Sequence, residues 1–270
     1  MQKLMGWICL VPIIFFSCSL NNVTEDTGLR KYFDSARVAG CFGLFDNGRG
    51  SFDIYNLKRY RDSVSTPAST FNIVNALVGV ETGVIRDEKM VIKWDSIKRP
   101  NADWNRDLSM EEAFRVSSLP YFQELARRIG RDTMKKWIDT LGYGNKDISG
   151  PIDSFWFNNH LRITPDEQLG LVKRMYFGQL PFFNRTQEIV RKLMLREDNA
   201  NYKLSYATGS GPGKNGHVVG WVVGWIEENK HPYFFVLNLE SADQQLDIDR
   251  SGTRMLKNIL QGMGFFAGTK

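Results

Sequence analysis

Strand-like segments lie near both ends of this sequence, and a long helical region separates them. The apolar runs 38–45 and 51–56 flank the turn residues 46–50, which predicts a β-hairpin. From about 67 to 195 the apolar residues recur mainly at helical spacing, and further strand-like runs precede a last helix at about 250–263. This order predicts an α+β fold, in which an antiparallel β-sheet is flanked by terminal helices and carries an inserted helical lobe.

The N-terminus has the pattern of an export signal. A basic residue precedes the apolar run 4–16, which is too short to remain as a membrane-spanning helix. We therefore predict a signal peptide at 1–18, a single domain at 24–270 and a periplasmic location. Ser17-Cys18 also resembles the cleavage site of a bacterial lipoprotein, although the two residues before it depart from the usual pattern. A lipid anchor at Cys18 and simple cleavage are the two alternatives.

Charge and cysteine content argue against several kinds of partner. The chain has 270 residues and a formal net charge of +5, but its Lys and Arg residues are scattered and form no basic stripe. Cys41 lies in an apolar run and is expected to be buried as a small hydrophobic side chain. No His, Cys and carboxylate spacing suits a metal. We therefore expect no nucleic acid, no metal and no cofactor.

A serine follows a proline at the start of an apolar helix. Pro67 suits the first turn of a helix, residues 73–80 place apolar side chains at helical spacing, and Gly83 can end it. Ser69 would then lie in the first turn, where free backbone N–H groups can stabilise an oxyanion next to a nucleophile. Asn72 follows one turn later on the same face, where a base is needed. An amide cannot accept a proton at neutral pH.

Several short motifs occur in the order found in one enzyme family. The sequence contains Pro67-Ala68-Ser69-Thr70-Phe71-Asn72, then Ser117-Ser118-Leu119, Tyr143-Gly144-Asn145, Phe155-Trp156 and Ala207-Thr208-Gly209. Together they resemble the motifs of class D β-lactamases, which are penicillin-recognising serine enzymes. The resemblance extends over about 41–263. It implies the fold of that family and a β-lactam or peptidoglycan-peptide-like ligand.

The resemblance implies catalytic roles for individual residues. Ser69 matches the serine that is acylated by the β-lactam carbonyl. Ser117 matches the serine that relays a proton toward the leaving nitrogen, and Leu119 stands where the family has valine. Trp156 matches a tryptophan that donates a hydrogen bond to a carbamate on the family's motif lysine.

The resemblance also implies a substrate-binding end of the site. Thr208 would bond the carboxylate of the substrate, in a motif that ends at Gly209. The backbone N–H of Ser210 would complete the oxyanion hole together with that of Ser69. Arg250 lies about where the family places an arginine that pairs with the same carboxylate.

Asn72 and Ala207 replace the two lysines of the family's motifs. The first of those lysines carries the carbamate that serves as general base, and general base catalysis is worth about 10²–10⁴-fold in rate. We therefore expect a slow or inactive enzyme. Lys203 is about 13 Å from Ala207 along its strand, which is too far to replace the lost lysine. Lys214 and His217 lie in a turn-like loop, which leaves open whether either acts as a substitute base.

Three functions remain open from the sequence. The first is a β-lactam hydrolase with impaired turnover through an acyl-Ser69 intermediate. The second is a non-hydrolytic penicillin-binding or sensor-like protein that retains the acyl group. The third is a pseudoenzyme of the cell envelope whose pocket only binds other components.

Overall fold

The computed structural model describes residues 22–270, which build a seven-stranded sheet and a separate two-stranded one. The strands are β1 (Val23–Glu25), β2 (Ala39–Asp46), β3 (Ser51–Tyr55), β4 (Val91–Ile92), β5 (Leu108–Ser109), β6 (Leu195–Asp198), β7 (Lys203–Pro212), β8 (Val218–Glu228) and β9 (His231–Ser241). The helices are α1 (Arg30–Ala36), α2 (Leu57–Asp62), α3 (Asn72–Glu81), α4 (Met110–Arg115), α5 (Leu119–Ile129), α6 (Arg131–Leu141), α7 (Pro165–Tyr176), α8 (Asn184–Leu193) and α9 (Ile248–Gly262). The signal peptide predicted at 1–18, with Cys18, lies outside the described residues. Within residues 22–270, no helix combines the length and apolar character needed to cross a membrane.

The large sheet joins the two ends of the described chain. Its strand order is β1-β3-β2-β9-β8-β7-β6. Strands β2 and β3 form the predicted hairpin, and β2 also pairs with β9, so that Ala39 lies opposite Glu240. The predicted α+β fold, with a helical region inserted between strands that meet in one sheet, is therefore confirmed.

One edge of the sheet corrects the prediction that all strands are antiparallel. Strand β1 runs parallel to β3, with Val23 opposite Phe52. The edge of β3 has backbone groups that need partners, and the segment before α1 supplies them. Phe52 N–H donates to Asn22 O at 2.7 Å, and Asp26 N–H donates to Ile54 O at 2.8 Å. The sheet is therefore mixed.

The core has two layers, one on each face of the large sheet, because successive side chains of a strand point to opposite faces. Phe234 and Val236 of β9 belong to the layer that contains α3, α5 and α7. Phe235 and Leu237 belong to the layer that contains α1 and α9. The buried thiol of Cys41 lies in the first layer, as predicted, and burial raises its pKa to about 12.

Helix α3 lies inside the first layer and is buried from Asn72 to Val80. Leu125 of α5 and Val190 of α8 share its apolar cluster. Full burial of a side chain of this size contributes about 1.5–3 kcal/mol. This packing fixes α3, and with it the turn that precedes α3, relative to the sheet.

Two helices of this layer begin with capping boxes. The Ser109 side chain caps α4 and the Thr164 side chain caps α7, and in each a glutamate at the third helical position bonds back to the cap. Hydrogen bonds from Ser109, together with Arg106, lower the pKa of Glu112 to about 2.

Candidate active site

Ser69 lies in a tight turn that leads into α3. Residues Ala68–Phe71 form one turn of 3₁₀ helix, and Asn72 continues it as the first residue of α3. Ala68 has a φ of 49°, which is unusual for a residue with a side chain and places strain directly before the serine. Ser69 is half-buried. The sequence predicted Ser69 in the first turn of the buried helix, whereas the structure places it in the 3₁₀ turn before that helix, because α3 begins only at Asn72.

Hydrogen bonds to two other segments of the chain fix this turn. Ala68 N–H and Thr66 Oγ1 both donate to Trp156 O, at 3.1 Å and 2.7 Å. Trp221 of β8 donates from Nε1 to Thr66 O at 2.8 Å. All of these groups are buried, so that the turn is held rigidly while the Ser69 side chain stays accessible.

Strand β7 passes, at Gly209, directly beside the turn Ala68–Phe71 that carries Ser69, which we call the nucleophile turn. A Cβ atom on Gly209 would lie 2.6 Å from Thr70 N and 2.9 Å from Ser69 N, closer than carbon and nitrogen can approach. Only glycine therefore allows the strand to reach the turn. Ser210 is the next residue of β7, and its part in an oxyanion hole with Ser69 stays a prediction.

Ser117 lies on a strained connection between α4 and α5. Its φ is 48° and its side chain is half-buried. Ser118, the next residue, is fully buried and its Oγ has no partner within the described residues. Leu119 begins α5 and is half-buried. Ser117 is therefore the member of this motif with an accessible hydroxyl.

The position of the missing base is buried and uncharged. Asn72 is 4% exposed. Trp156, Tyr143 and Gln168 contact the residues just before it, and their Nε1, OH and Oε1 atoms are buried with no hydrogen-bond partner within residues 22–270. The Phe71 ring packs against the rings of Tyr143 and Trp156, with centroids 5.6 Å and 5.4 Å away. The indole N–H that the resemblance pairs with a lysine carbamate thus finds no acceptor among the described side chains.

The structure places Asp249, and not Arg250, against β7. Ser210 Oγ donates to Asp249 Oδ2 at 2.8 Å. Arg250 is exposed, and its backbone N–H donates to Asp247 Oδ1 at 3.0 Å. Thr208 is half-buried and Ala207 is 2% exposed. The sequence interpretation missed Asp249 because it began the last helix at residue 250, whereas α9 begins at Ile248.

The side chains considered as substitute bases are engaged elsewhere or exposed. Lys203 pairs with Asp198 at 3.1 Å. His217 Nδ1 lies 2.8 Å from Glu240 Oε1. Lys214 is exposed and, together with Glu240, lines a cavity of about 410 Å³. None of these contacts directs a basic group toward Ser69.

Strand β7 meets the turn that carries Ser69 and leads into α3, and the fold around them is that of the penicillin-binding serine protein family. The chain belongs to the penicillin-binding protein transpeptidase family and is homologous to class D β-lactamases. The family model described as penicillin binding protein transpeptidase domain matches residues 37–261.

Known relatives include both enzymes and a receptor. Beta-lactamase OXA-5 of Pseudomonas aeruginosa is 37% identical over 234 residues, which cover 86% of this chain and 87% of that protein. The crystal structure of a class D β-lactamase from Sebaldella termitidis has a TM-score of 0.85 at 28% identity and covers 90% of this chain and 98% of that one. The C-terminal domain of the Bacillus licheniformis BlaR penicillin receptor has a TM-score of 0.85 at 29% identity, with 91% and 98% covered. The fold alone therefore does not decide between turnover and binding.

Proposed function

We propose that this protein binds β-lactams and is acylated by them at Ser69, and that Asn72 and Ala207 make hydrolysis of the resulting ester slow. The observation that carries the proposal is the difference between two positions one helical turn apart, Ser69 and Asn72. The backbone around Ser69 is held by buried hydrogen bonds, whereas the side chain one turn later is a buried amide. The site is built to present a nucleophile but not to deprotonate it.

Acylation needs only groups that this chain retains. Ser69 Oγ attacks the β-lactam carbonyl carbon, and the N–H groups of Ser69 and Ser210 stabilise the oxyanion. The carbonyl carbon–nitrogen bond then breaks, and the hydroxyl proton of Ser69 passes through Ser117 to the leaving nitrogen. Without a base the step is slower by about 10²–10⁴-fold.

Deacylation suffers more, because a water molecule must lose a proton as it attacks the ester carbon. The Asn72 amide cannot take that proton. Lys203 and His217 are held by Asp198 and Glu240. An acyl group on Ser69 is therefore expected to persist.

A receptor-like role is the alternative that a specific observation favours. The similarity to the BlaR penicillin-receptor domain covers 91% of this chain. A receptor of this kind needs a stable acyl-serine and no turnover, which matches the groups retained here. A pseudoenzyme that binds without forming any adduct is the third outcome to be tested.

The experiment compares the purified protein with its Ser69→Ala variant. A fluorescent penicillin and intact-mass measurement report the adduct, and a chromogenic cephalosporin reports turnover. We expect a slowly formed, long-lived adduct that Ser69→Ala abolishes, with little hydrolysis. Rapid turnover would contradict the proposal, and the absence of any adduct with either compound would support the pseudoenzyme instead.

We also propose that residues 1–18 direct export to the periplasm. The apolar run 4–16 supports this, and Ser17-Cys18 supports a lipid anchor. In a bacterial host, Cys18→Ser should release the protein from the membrane fraction if Cys18 is lipidated. Unchanged membrane association would contradict the anchor, and retention of the unprocessed chain in the cytoplasm would contradict export.

A further inference from the structure

A second cavity lies between α5 and the segment that joins β4 to β5. Its volume is about 270 Å³. Among the described residues, its lining includes Ser118 and Pro120 but neither Ser69 nor Ser117. Concave sites that combine apolar walls with a few polar groups are where proteins bind small ligands. The acylation proposed for Ser69 gives this cavity no role.

Two tryptophan side chains form fixed walls of the cavity. Trp94 and Trp104 both line it and are half-buried. Their indole N–H groups donate to backbone carbonyls, that of Trp94 to Ile97 O at 3.1 Å and that of Trp104 to Val116 O at 3.0 Å. Because protein groups already bond the polar edge of each ring, the rings offer a ligand mainly apolar surface.

The charged side chains along the cavity pair with one another or with a neighbour. Hydrogen bonds from Arg99 lower the pKa of Asp95 to about 2, and those from Arg128 lower the pKa of Glu124. Both carboxylates therefore stay ionised and paired. Such pairs leave little net charge to attract an ion, but they place acceptors and donors side by side. The pairs are Asp95 with Arg99, Glu124 with Arg127 and Arg128, and Arg106 with Glu112.

One buried polar group of the lining has no partner. Ser118 is fully buried, and its Oγ lacks a hydrogen-bond partner among residues 22–270. Tyr121, which also lines the cavity, donates its hydroxyl proton to Met90 O at 3.3 Å. Since most buried polar groups are paired, the open hydroxyl of Ser118 indicates a partner from outside the described chain.

We infer that this cavity binds a neutral sugar ring of the N-acetylhexosamine type. One face of such a ring carries C–H groups, which pack on the electron-rich face of an indole such as that of Trp94 or Trp104. Each sugar hydroxyl both donates and accepts, which suits a rim of paired carboxylates and guanidinium groups. The acetamido group adds a methyl for the apolar side chains of Ile92 and Leu108.

Other ligand classes fit this lining less well. An anion would have to compete with the carboxylates that already pair with the arginines. A purely apolar ligand would remove water from the charged groups without replacing their hydrogen bonds, which is costly. The inference goes beyond the acylation proposed for Ser69 and does not depend on it.

The test is a ligand-observed NMR titration of the purified protein with N,N′,N″-triacetylchitotriose, a neutral oligomer of N-acetylglucosamine. We expect saturable binding. Trp94→Ala should weaken it about tenfold or more, because it removes one stacking surface, whereas Trp94→Phe should retain most of it. Trp137→Ala is the matched control, since Trp137 is also half-buried but stacks on Phe182, outside the cavity.

Arg128→Ala is a second diagnostic variant, which tests the inference even if Trp94→Ala does not fold. Arg128 is exposed and lines the cavity, so its truncation spares the core. We expect sugar binding to weaken about threefold, as for the loss of a hydrogen-bond donor. Unchanged binding by Arg128→Ala and by every folded Trp94 variant would overturn the inference.

Competition separates this inference from the proposed function. Protein that carries a penicillin adduct on Ser69 should bind the sugar as tightly as free protein does. Loss of sugar binding on acylation would place the sugar at Ser69 and overturn the inference. If no adduct forms, the proposed acylation fails, while the sugar titration still decides this inference. No sugar binding at millimolar concentration, or tighter binding of the aromatic anion naphthoate, would also overturn it.

Discussion

Buried polar groups are paired differently in two regions of the molecule. At the end of β8, far from Ser69 in the sheet, Glu228 is 1% exposed and its carboxylate accepts hydrogen bonds from the backbone N–H groups of Phe266, Thr269 and Lys270. A buried charge is tolerated there because its oxygens are satisfied. This pairing fixes the C-terminal segment against the sheet.

The candidate site shows the opposite behaviour. All the buried side-chain N and O atoms without a partner in residues 22–270 belong to Asn75, Ser118, Tyr143, Trp156, Gln168 and Asp249. Each of these residues lies next to the Ser69 turn, in the Ser117 motif, in α3 or against Ser210. Since buried polar groups are normally paired, we expect the groups in this region to bond partners from outside the described residues, such as water or a ligand.

Introducing the two lysines of the family's motifs should change the candidate site more than any other substitution. Asn72→Lys would place an amine in a buried position, where desolvation lowers its pKa and makes it a base. With Ala207→Lys, hydrolysis of a chromogenic cephalosporin should rise by about 10²–10⁴-fold. Ala200→Lys adds a charge at an exposed turn and should have no effect. A double variant that folds and remains as slow as the wild type would show deeper damage to the site.

Gly209→Ala should impair the candidate site more strongly than it destabilises the rest of the fold. The new Cβ would lie 2.6 Å from Thr70 N, so that β7 and the nucleophile turn must move apart. We expect adduct formation to be lost and stability to fall by about 1–3 kcal/mol. Gly170→Ala is the matched control, because a Cβ at this position in α7 meets nothing within 4 Å. Both effects are measured by penicillin labelling and urea unfolding, and equal behaviour of the two variants would refute the close approach.

A tryptophan pair sharpens the comparison between paired and unpaired groups. Trp156 and Trp221 are both buried, but only Trp221 Nε1 has a partner, Thr66 O at 2.8 Å. Replacement by Phe removes similar volume from both. Trp221→Phe should cost about 1–3 kcal/mol more, because it leaves a buried carbonyl unpaired. Chemical denaturation measures the difference, and a larger loss for Trp156→Phe would mean that its N–H is paired in solution.

The smallest effect is expected from Asp249→Asn on stability. The folded-state pKa of Asp249 lies above the ordinary value of 3.8, so the ionised carboxylate destabilises the folded state at neutral pH. The penalty disappears as the pH falls through the folded-state pKa. Asp249→Asn should therefore raise Tm slightly at pH 7. The corresponding gain in the free energy of unfolding is about 1 kcal/mol or less. A lower Tm at pH 7 would show that the carboxylate stabilises the fold.

Local patterns were sufficient to predict much of the fold. The turn at 46–50 and the apolar spacing of α3 are decided by neighbours in sequence, and both were predicted correctly. The parallel pairing of β1 was missed, because a three-residue edge strand is decided by the backbone groups that β3 leaves open.

Motif spacing predicted which segments meet at the candidate site. The structure brings the segments around Ser69, Trp156 and Gly209 together, and the catalytic roles given to these residues stay predictions. The position of Asp249 could not be predicted in the same way. A shift of one residue rotates a helix position by about 100°, so that an uncertain helix start decides whether an aspartate or an arginine faces β7.

The pairing of β2 with β9 also has a consequence for how the site forms. The large sheet is complete only when β2 pairs with β9, so that Ala39 lies opposite Glu240. Contacts between residues so far apart in sequence slow folding. The nucleophile turn is braced by Trp221 of β8, which is made late in synthesis. A chain truncated before β8 would therefore lack the Trp221 hydrogen bond that holds the turn carrying Ser69.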